Sequence, residues 1–158
     1  MNSTNWDNRF LDMAKLVSTW SKDPSTKVGA VIVDPSNRLV SVGYNGFPKD
    51  ITDNERLLDR GKKYDIIVHA EVNAILFSNK TLKGCTMYTW PFQPCPRCAG
   101  LIIQSGIRRV VSIKNRNPRW TEDFITAKQL LLEASVSLDI YEEWRTSRRR
   151  KTIFFRKS

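Results

Sequence analysis

The sequence predicts a single α/β domain in which helices cover both faces of one mixed sheet. Segments of strand character alternate with segments of helical spacing, and the first two strands lie close enough in sequence to pair as a hairpin. With 158 residues, of which 41% are hydrophobic, the chain can bury one substantial core. We expect five strands, and a boundary between a domain at residues 1–145 and a basic C-terminal tail at residues 146–158.

The first part of the chain predicts a helix followed by a hairpin. Apolar residues recur at helical spacing from Trp6 to Trp20. The β-branched run from Val28 to Val33 predicts a buried strand, and the segment from Arg38 to Gly43 predicts its partner beyond a short polar turn. The polar stretch from Lys49 to Tyr64 predicts a surface excursion that contains a short helix near Asn54 to Asp59.

The remainder of the chain alternates helices with strands. The expected elements are, in order, a helix over His69 to Asn79, a strand over Cys85 to Trp90, a helix over Cys95 to Ser105, a strand over Arg108 to Ile113, a helix over Thr121 to Ala134 and a strand over Val136 to Ile140. Thr121 is the expected N-cap of the last helix, because a threonine hydroxyl can accept a hydrogen bond from the first turn.

One histidine and two cysteines have the spacing of metal ligands. His69-Ala70-Glu71 opens one predicted helix, and a Pro-Cys-Pro-Arg-Cys sequence that contains Cys95 and Cys98 opens the next. Zinc prefers imidazole and thiolate ligands, and a catalytic zinc keeps a fourth position for water. His69, Cys95 and Cys98 are therefore the predicted zinc ligands, and Glu71 is the predicted catalytic residue beside that water.

The count of metal-binding residues favours an open catalytic site over a closed structural one. His69 is the only histidine, and the third cysteine, Cys85, lies in an apolar strand, where a free thiol usually packs as a small hydrophobe. In an open site the pKa of the bound water falls to about 7. Glu71 would then be placed to take a proton from this water and deliver it to a bound substrate. The competing interpretation is that Glu71 only stabilises the first turn of its helix.

The net charge of +10 is compatible with several kinds of partner. Much of it lies between Arg145 and Lys157, where it could form a solvated tail, bind nucleotide phosphates or bind a polynucleotide. No apolar run approaches the roughly 20 residues that span a membrane, and Met1 to Phe10 lacks the pattern of a signal peptide. Two of the three cysteines have metal-ligand spacing, which favours a reducing compartment. We therefore expect a cytoplasmic protein, in the host cytoplasm if a phage encodes it.

Four further stretches resemble a known enzyme family when they are taken with the paired motifs. The H-x-E and P-C-x-x-C motifs are typical of zinc-dependent nucleobase deaminases. Ser21–Ala30, Gly43–Pro48, Lys63-Tyr64 and Gly84–Tyr88 make the sequence similar to the deoxycytidylate (dCMP) deaminases of phages and cells. The resemblance implies a three-layer α/β/α cytidine deaminase-like fold with a mixed five-stranded sheet. It also implies a hydrolase that acts on a cyclic amidine C–N bond, converting dCMP to dUMP and ammonia and supplying dUMP for dTMP synthesis.

The same resemblance implies substrate-binding roles for particular residues. These are Asn45 for the 3′-hydroxyl of deoxyribose, the backbone of Val28 and Ala70 for the pyrimidine edge, the carbonyl of Gln93 for the exocyclic amine, Lys27 for the 5′-phosphate and Trp120 for covering the base or sugar. Further candidates for the phosphate are Ser21, Lys22, Lys114, Arg116 and Arg119. Plain surface charge remains an alternative for the basic residues, and a place in the core remains one for Trp120.

Many of the similar enzymes are hexamers that dCTP activates and dTTP inhibits, with Mg²⁺ on the effector phosphates. In some of them, the loop that matches Gly43-Tyr44-Asn45-Gly46 belongs to the effector site. The resemblance therefore implies a homo-hexamer in which Gly43, Tyr44, Asn45 and Gly46 contribute to effector binding.

Two other functions remain open from the sequence. One is a deaminase that acts on tRNA adenosine or single-stranded DNA cytosine, which would share the zinc site and use the positive charge. The other is a non-catalytic, zinc-stabilised binding module. The stretches Ser21–Ala30 and Gly43–Pro48 favour a free mononucleotide over nucleic acid, and Glu71 argues against the module.

Overall fold

The computed structural model describes residues 3–142 and 150–152, with side chains over residues 5–142. The five α-helices are α1 (Ser3–Ser18), α2 (Arg60–Ile66), α3 (Ala70–Leu76), α4 (Pro96–Gln104) and α5 (Thr121–Glu133). The strands are β1 (Gly29–Val33), β2 (Leu39–Tyr44), β3 (Thr86–Trp90), β4 (Arg109–Ile113), β5 (Ser137–Glu142) and β6 (Arg150–Thr152). Two short 3-10 helices lie at Glu55–Leu57 and Pro118–Trp120.

One mixed sheet contains all of these strands in the order β2-β1-β3-β4-β5-β6. Strand β1 is antiparallel to both β2 and β3, whereas β3, β4 and β5 are parallel to one another. The predicted hairpin and the mixed sheet are therefore confirmed, and all five predicted strands are present. A sixth strand, β6, pairs antiparallel with β5 inside the predicted basic tail. The rest of that tail lies outside the described residues, so its boundary at residue 145 stays a prediction.

The helices form two layers of unequal size around the sheet. Helix α1 packs on one face, where the buried apolar residues are Phe10, Leu11, Ala14, Val17, Val31, Val33, Tyr88, Trp90, Val111, Ile113 and Tyr141. Helices α3, α4 and α5 contribute to the core on the other face, where Ala70, Ala74, Ala99, Ile102, Ala127 and Leu131 pack against Ile32, Met87, Val110 and Leu138. This arrangement confirms the predicted three layers.

Several of the loops meet at one edge of the sheet. Parallel strands β3 and β4 end at Trp90 and Ile113, and the antiparallel pairing of Gly29 with Trp90 brings the start of β1 to the same edge. Open α/β sheets bind their ligands outside the carboxyl ends of parallel strands. The topology therefore gathers the segment before β1, the loop after β3 and the loop after β4 around one location.

A buried ionic network fastens α1 to three strands. Asp7, which is 1% exposed, accepts hydrogen bonds from Arg109 (2.7 and 2.8 Å), Tyr88 (2.8 Å) and Tyr141 (2.6 Å). Arg109 also donates to Asp139 at 2.7 and 2.8 Å. Burial opposes ionisation of Asp7, but the hydrogen bonds from Arg109 and Tyr141 outweigh it and hold the pKa of this carboxyl below its usual range.

One expectation about the helices is confirmed and another needs correction. The excursion from Lys49 to Tyr64 contains the Glu55–Leu57 3-10 helix near the expected place, and α2 follows it. Thr121 is not the N-cap of α5, because the Pro118–Trp120 3-10 helix runs directly into α5, so that Trp120 takes the N-cap position and Thr121 is the first residue of the helix. The side chain of Asn117 caps that 3-10 helix instead, by accepting a hydrogen bond from the N–H of Arg119 at 3.1 Å. No helix among the described residues is long and apolar enough to cross a membrane.

Candidate active site

The three predicted zinc ligands lie together at the starts of two helices. His69 is the N-cap of α3, and Cys95 is the N-cap of α4. Nδ1 of His69 lies 3.6 Å from Sγ of Cys95 and 3.4 Å from Sγ of Cys98. A zinc ion with ordinary Zn–N and Zn–S bonds separates such ligand atoms by about 3.6 Å along the edge of a tetrahedron. The donor set and its spacing therefore fit zinc.

These three side chains form the only metal-ligand group of its kind in the described part of the chain. Their ligand atoms all lie within 4.8 Å of one another, and no fourth histidine, cysteine, aspartate or glutamate of that part joins them. Three protein ligands leave one coordination position for water or substrate. The described residues therefore supply three candidate ligands, and the open catalytic site stays a prediction.

A glycine in β2 allows α3 to hold His69 in this position. A Cβ atom at Gly43 would lie 2.3 Å from the carbonyl oxygen of Ala70 and 2.4 Å from the backbone nitrogen of Ala74. Only hydrogen fits there, so the backbone of α3 rests directly on the strand. Because Ala70 directly follows His69, this close contact also sets the position of the ligand.

Glu71 is buried next to the ligands. Its side chain is 3% exposed, and its Oε2 lies 3.7 Å from Sγ of Cys98. Burial raises the pKa of this carboxyl above its ordinary value, although the charge of His69 acts in the opposite direction. A carboxyl with a raised pKa takes up a proton more readily than an exposed glutamate does, which suits proton transfer.

The three cysteines have two different environments. The hydrogen bond with Cys98 lowers the pKa of Cys95 to about 4 and raises the pKa of Cys98. Cys95 is partly exposed, whereas Cys98 is buried. Cys85 is buried away from the ligands in the core beside Met87, and burial raises its pKa. It therefore packs as an apolar residue, as its place in an apolar strand predicted.

A cavity of about 340 Å³ opens beside the ligands. It is lined by Asp23, Ser25, Thr26, Val28, Asn45, Leu58, Arg60, Lys63, Tyr64, Ile67, His69, Ala70, Glu71, Phe92, Cys95, Trp120 and Phe124. Pockets for small ligands start at about 300 Å³, so this one suits a single small molecule. Aromatic walls flank it, since the rings of Phe92 and Phe124 lie 5.3 Å apart.

The polar wall of this cavity is held by a network of buried side chains. Asn45 accepts a hydrogen bond from the N–H of Val28 and donates one to the carbonyl of Thr26, both at 2.8 Å. Buried Lys63 donates to Asp23 at 3.0 Å and to Ser25 at 3.1 Å. The segment before β1 is therefore fixed from two sides, by the residue after β2 and by α2.

Most of the residues expected to contact substrate lie on the cavity wall. Val28, Asn45, Ala70, Glu71 and Trp120 all line it. Trp120 is only partly buried, so it is not a core residue.

Other candidates lie elsewhere. Lys27 is exposed and does not line the cavity, and the side chain of Gln93 donates to the carbonyl of Phe124 at 2.9 Å. Lys22 and Lys114 pair with Asp53 and Glu142, and Ser21 donates to the carbonyl of Asn45.

The loop expected to bind effectors has local structural roles at three of its positions. Gly43 supports α3, Gly46 forms a backbone bridge with Val68, and the ring of Tyr44 contacts that of Trp20 edge-on at 6.1 Å.

Three cavity residues in α2 were assigned no role from the sequence: Arg60, Lys63 and Tyr64. Lys63-Tyr64 had been recognised only as a mark of family resemblance. A lysine and a tyrosine shortly before an H-x-E motif were the available signal, and only the fold shows that they face the same cavity.

Comparison with known proteins agrees with this site. The sequence model of the cytidine and deoxycytidylate deaminase zinc-binding region matches residues 4–114. An uncharacterised deaminase in the luxG 3′ region of Aliivibrio fischeri is 50% identical over 121 residues, covering 77% of this chain and 78% of its own. Human deoxycytidylate deaminase is 42% identical over 135 residues, covering 80% of this chain and 73% of its own.

A solved structure extends the likeness to the fold. The dCMP deaminase of cyanophage S-TIM5, crystallised in complex with dCMP and dUMP, superposes with a TM-score of 0.73 at 26% identity, covering 89% of this chain and 98% of its own. With the His69, Cys95 and Cys98 group in place, the comparisons establish that the chain belongs to the zinc-dependent cytidine and deoxycytidylate deaminase family, whose members are hydrolases acting on C–N bonds.

Proposed function

We propose that the protein hydrolyses dCMP to dUMP and ammonia in the cytoplasm, where its thiolate ligands stay reduced. The observation that carries the proposal is a buried carboxyl, Glu71, next to three zinc-type ligands in a cavity of about 340 Å³. The human relative is a deoxycytidylate deaminase, and the cyanophage neighbour binds dCMP and dUMP. Both support a mononucleotide substrate. Deamination of the free nucleotide would supply dUMP for dTMP synthesis.

The proposed role of the ligands follows from their chemistry. His69, Cys95 and Cys98 would hold zinc, which when bound lowers the pKa of a water molecule towards neutrality. The low pKa of Cys95, about 4, means that one sulfur is already a thiolate at neutral pH. The hydrogen bond between Cys98 and Cys95 indicates that the second sulfur lies in position to become a ligand when its proton is released.

Glu71 would move the protons of the reaction. Cytosine resists attack by water at C4 until N3 is protonated, so the same carboxyl can accept a proton from the water and deliver it to N3. It can then take the proton of the new C4 hydroxyl and pass it to the amino group, so that the C4–N bond breaks, ammonia departs and the C4 carbonyl of dUMP remains. Burial suits Glu71 to both roles, because it raises the pKa of the carboxyl and so makes the protonated form easier to reach than for an exposed glutamate.

The cavity wall supplies contacts for the base and the sugar. Phe92, Phe124 and Trp120 give apolar surfaces for the ring. The N–H of Ala70 belongs to the first turn of α3, where backbone donors have no partner within the helix, so it can donate to the pyrimidine oxygen. The N–H of Val28 is already bonded to Asn45. We therefore assign the pyrimidine edge mainly to Ala70. We propose that Asn45 holds the segment before β1 through Val28 and Thr26, and that its Oδ1 accepts a second hydrogen bond from the 3′-hydroxyl of the deoxyribose.

The direct test is ammonia release from dCMP, CMP, deoxycytidine, dCTP and a cytosine-containing oligonucleotide under identical conditions. We expect dCMP to give the highest kcat/KM. A higher kcat/KM for the oligonucleotide would replace the proposal with a polynucleotide deaminase. Zinc-loaded protein that releases ammonia from none of the five would leave the binding module as the better interpretation.

We also propose that the protein is a homo-hexamer regulated by dCTP as activator and dTTP as inhibitor, with Mg²⁺ on the triphosphates. The support is the family resemblance of the Gly43-Tyr44-Asn45-Gly46 loop. The test combines molecular mass in solution with dCMP saturation curves, with and without each triphosphate and Mg²⁺. Sigmoidal saturation that dCTP makes hyperbolic is the expected result. A hyperbolic curve that neither triphosphate changes would remove the regulation, and a monomeric mass would remove the assembly.

A further inference from the structure

Two arginines from separate elements meet at one tyrosine on the cavity wall. Nε of Arg60 and Nη2 of Arg119 each donate a hydrogen bond to the hydroxyl of Tyr64 at 3.1 Å. The guanidinium carbons lie 5.7 and 5.8 Å from the centre of the Tyr64 ring. Arg60 and Tyr64 belong to α2, whereas Arg119 belongs to the Pro118–Trp120 3-10 helix. We call these three residues the Tyr64 cluster.

The charge of the Tyr64 cluster is not neutralised by a carboxylate. Among the ion pairs between described residues, none includes Arg60 or Arg119. Lys63, in contrast, is paired with buried Asp23 at 3.0 Å, so that pair is neutral as a whole. Two guanidinium groups on one neutral hydroxyl repel each other, and an anion between them would remove the repulsion. Of the cationic groups in and beside the cavity, the Tyr64 cluster is therefore the one suited to a phosphate.

The cluster also lies at the correct end of the cavity for the phosphate of a nucleotide. Glu71 and Ala70 are buried at 3% and 0% exposure, whereas Tyr64 is 46% exposed. The Tyr64 cluster therefore marks the solvent end. A nucleotide whose base reaches Glu71 would direct its charged phosphate towards this end. Arginine binds phosphate through paired, charge-assisted hydrogen bonds, which also fix its orientation.

We propose that Arg60 and Arg119, positioned by Tyr64, bind the 5′-phosphate of the substrate and make the enzyme select nucleotides over nucleosides. This inference rests on the proposed deamination of dCMP. It replaces Lys27 as the principal phosphate ligand, keeps Arg119 from the further candidates that the resemblance implied, and adds Arg60 and Tyr64. An arriving phosphate takes over hydrogen bonds that the two guanidiniums otherwise direct to Tyr64. It thereby joins α2 to the loop that follows β4.

Arg119 has a second contact that connects the phosphate to the base. Its guanidinium carbon lies 4.8 Å from the ring centre of Trp120, and Trp120 lines the cavity. Phosphate binding by Arg119 therefore holds Trp120 in place beside the reacting ring. Within the described part of the chain, the contacts of Arg60 are with the hydroxyl and ring of Tyr64 rather than with a base-facing side chain. Loss of Arg119 should lower kcat as well as raise KM, whereas loss of Arg60 should mainly raise KM.

The experiment compares Arg60→Gln, Arg119→Gln and a matched control, Arg38→Gln, which changes an exposed arginine in the β1–β2 turn. Calorimetry measures the dissociation constants of dUMP and deoxyuridine for each zinc-loaded variant. We expect the ratio of the two affinities to fall at least tenfold in Arg60→Gln and in Arg119→Gln, and to stay constant in Arg38→Gln. Arg60→Lys and Arg119→Lys provide folded substitutes if a glutamine variant is unstable, and should lower the ratio in part.

The outcomes separate this inference from the proposed function. Ammonia release from dCMP by the unchanged protein tests the deaminase activity alone. If that activity is present but the affinities for dUMP and deoxyuridine fall by the same factor in the two arginine variants, the phosphate lies elsewhere and the inference is overturned. An unchanged ratio in both arginine variants, or an equal fall in Arg38→Gln, would overturn it as well.

Discussion

Glu71 has the surroundings that proton transfer requires, and they are produced by its immediate neighbours. It is two residues from His69, which is the N-cap of α3, and its carboxyl lies beside Sγ of Cys98 in α4. Burial raises its pKa, while the nearby His69 moderates the effect. An exposed glutamate at a helix start would stay ionised and would only interact with the helix dipole. The burial of Glu71 thus favours the catalytic interpretation over the capping one.

Replacing Glu71 with glutamine should separate catalysis from metal binding. Glutamine keeps the size of the side chain but cannot accept and return a proton, so we expect kcat for dCMP to fall by about 10²–10⁴-fold. Zinc content, measured by elemental analysis, should stay at one ion per chain, since the three ligands are unchanged. Near-normal turnover in the zinc-loaded variant would show that another group carries the protons.

The ligand residues were predictable from the sequence because part of their geometry is local. Cys95 and Cys98 lie one turn apart at the start of α4, and Glu71 follows His69 by two residues at the start of α3. The fold then brings the two helix starts together. The Tyr64 cluster was not predictable in the same way, since Arg60 and Arg119 are distant in sequence and meet only through the fold. The family resemblance implied Lys27 as the phosphate ligand, but its side chain is exposed and does not line the cavity.

Helix α3 carries the ligand His69, and its packing depends on one strand residue. The backbone of α3 lies against Gly43 so closely that a methyl group there would overlap Ala70 and Ala74. Gly46, three residues later, has no atom within 4 Å of the equivalent position. Two glycines in one loop therefore have different structural constraints, which the sequence alone could not distinguish.

Gly43→Ala should weaken both the fold and the metal site. Overpacking of this kind costs about 1–3 kcal/mol, and relief requires a shift of α3 that would move His69. We expect a lower Tm and a weaker zinc affinity in competition with a chromogenic chelator. Gly46→Ala is the matched control and should change stability by less than about 0.5 kcal/mol. Equal behaviour of the two variants would contradict the packing argument.

Element boundaries were predictable where apolar residues follow a regular period. Helices α1, α4 and α5 and strands β1 to β5 satisfy this condition, and each was found within a few residues of its expected place. Helix α2 has a charged sequence in which only Lys63 is buried, so no periodic pattern of apolar residues predicts it. Strand β6 is three residues long and basic, so its own sequence has no strand pattern, and it is recognised only by its pairing with β5.

The whole domain is tied together by the network around Asp7. This carboxylate connects α1 to β3, β4 and β5 on the face opposite α3, α4 and α5. Its partners are an arginine and two tyrosines, and burial raises the pKa of both tyrosine hydroxyls, which keeps them protonated as donors. A buried carboxylate with three such donors is stabilising only while it is ionised.

The stability of the protein should therefore depend on Asp7 at acid pH. The pKa of Asp7 is lower in the folded protein than in the unfolded chain, so its contribution is present above about pH 4 and is lost as the pH falls through the folded value. Asp7→Asn should lose about 1.5–3 kcal/mol at pH 7 and show a flatter decline below pH 4. Urea unfolding between pH 2.5 and pH 7 measures both effects.

The control for this prediction is Glu133→Gln, which removes an exposed carboxylate at the end of α5. It should leave the stability at pH 7 within about 0.5 kcal/mol of the unchanged protein. A steep acid decline that persists in Asp7→Asn would assign the acid sensitivity to other groups.

Because the three cysteines are buried to different degrees, their reactivity can be used to measure how much of the metal site is occupied. Cys85 and Cys98 are 2% and 1% exposed, whereas Cys95 is partly exposed and has a low pKa. A thiolate of this kind reacts quickly with a disulfide reagent such as Ellman's, unless a metal holds it. In zinc-loaded protein we therefore expect no cysteine to react rapidly with the reagent. After a chelator removes the zinc, we expect one cysteine per chain to react rapidly. Labelling of the native enzyme would then titrate its zinc occupancy directly, one cysteine per empty site.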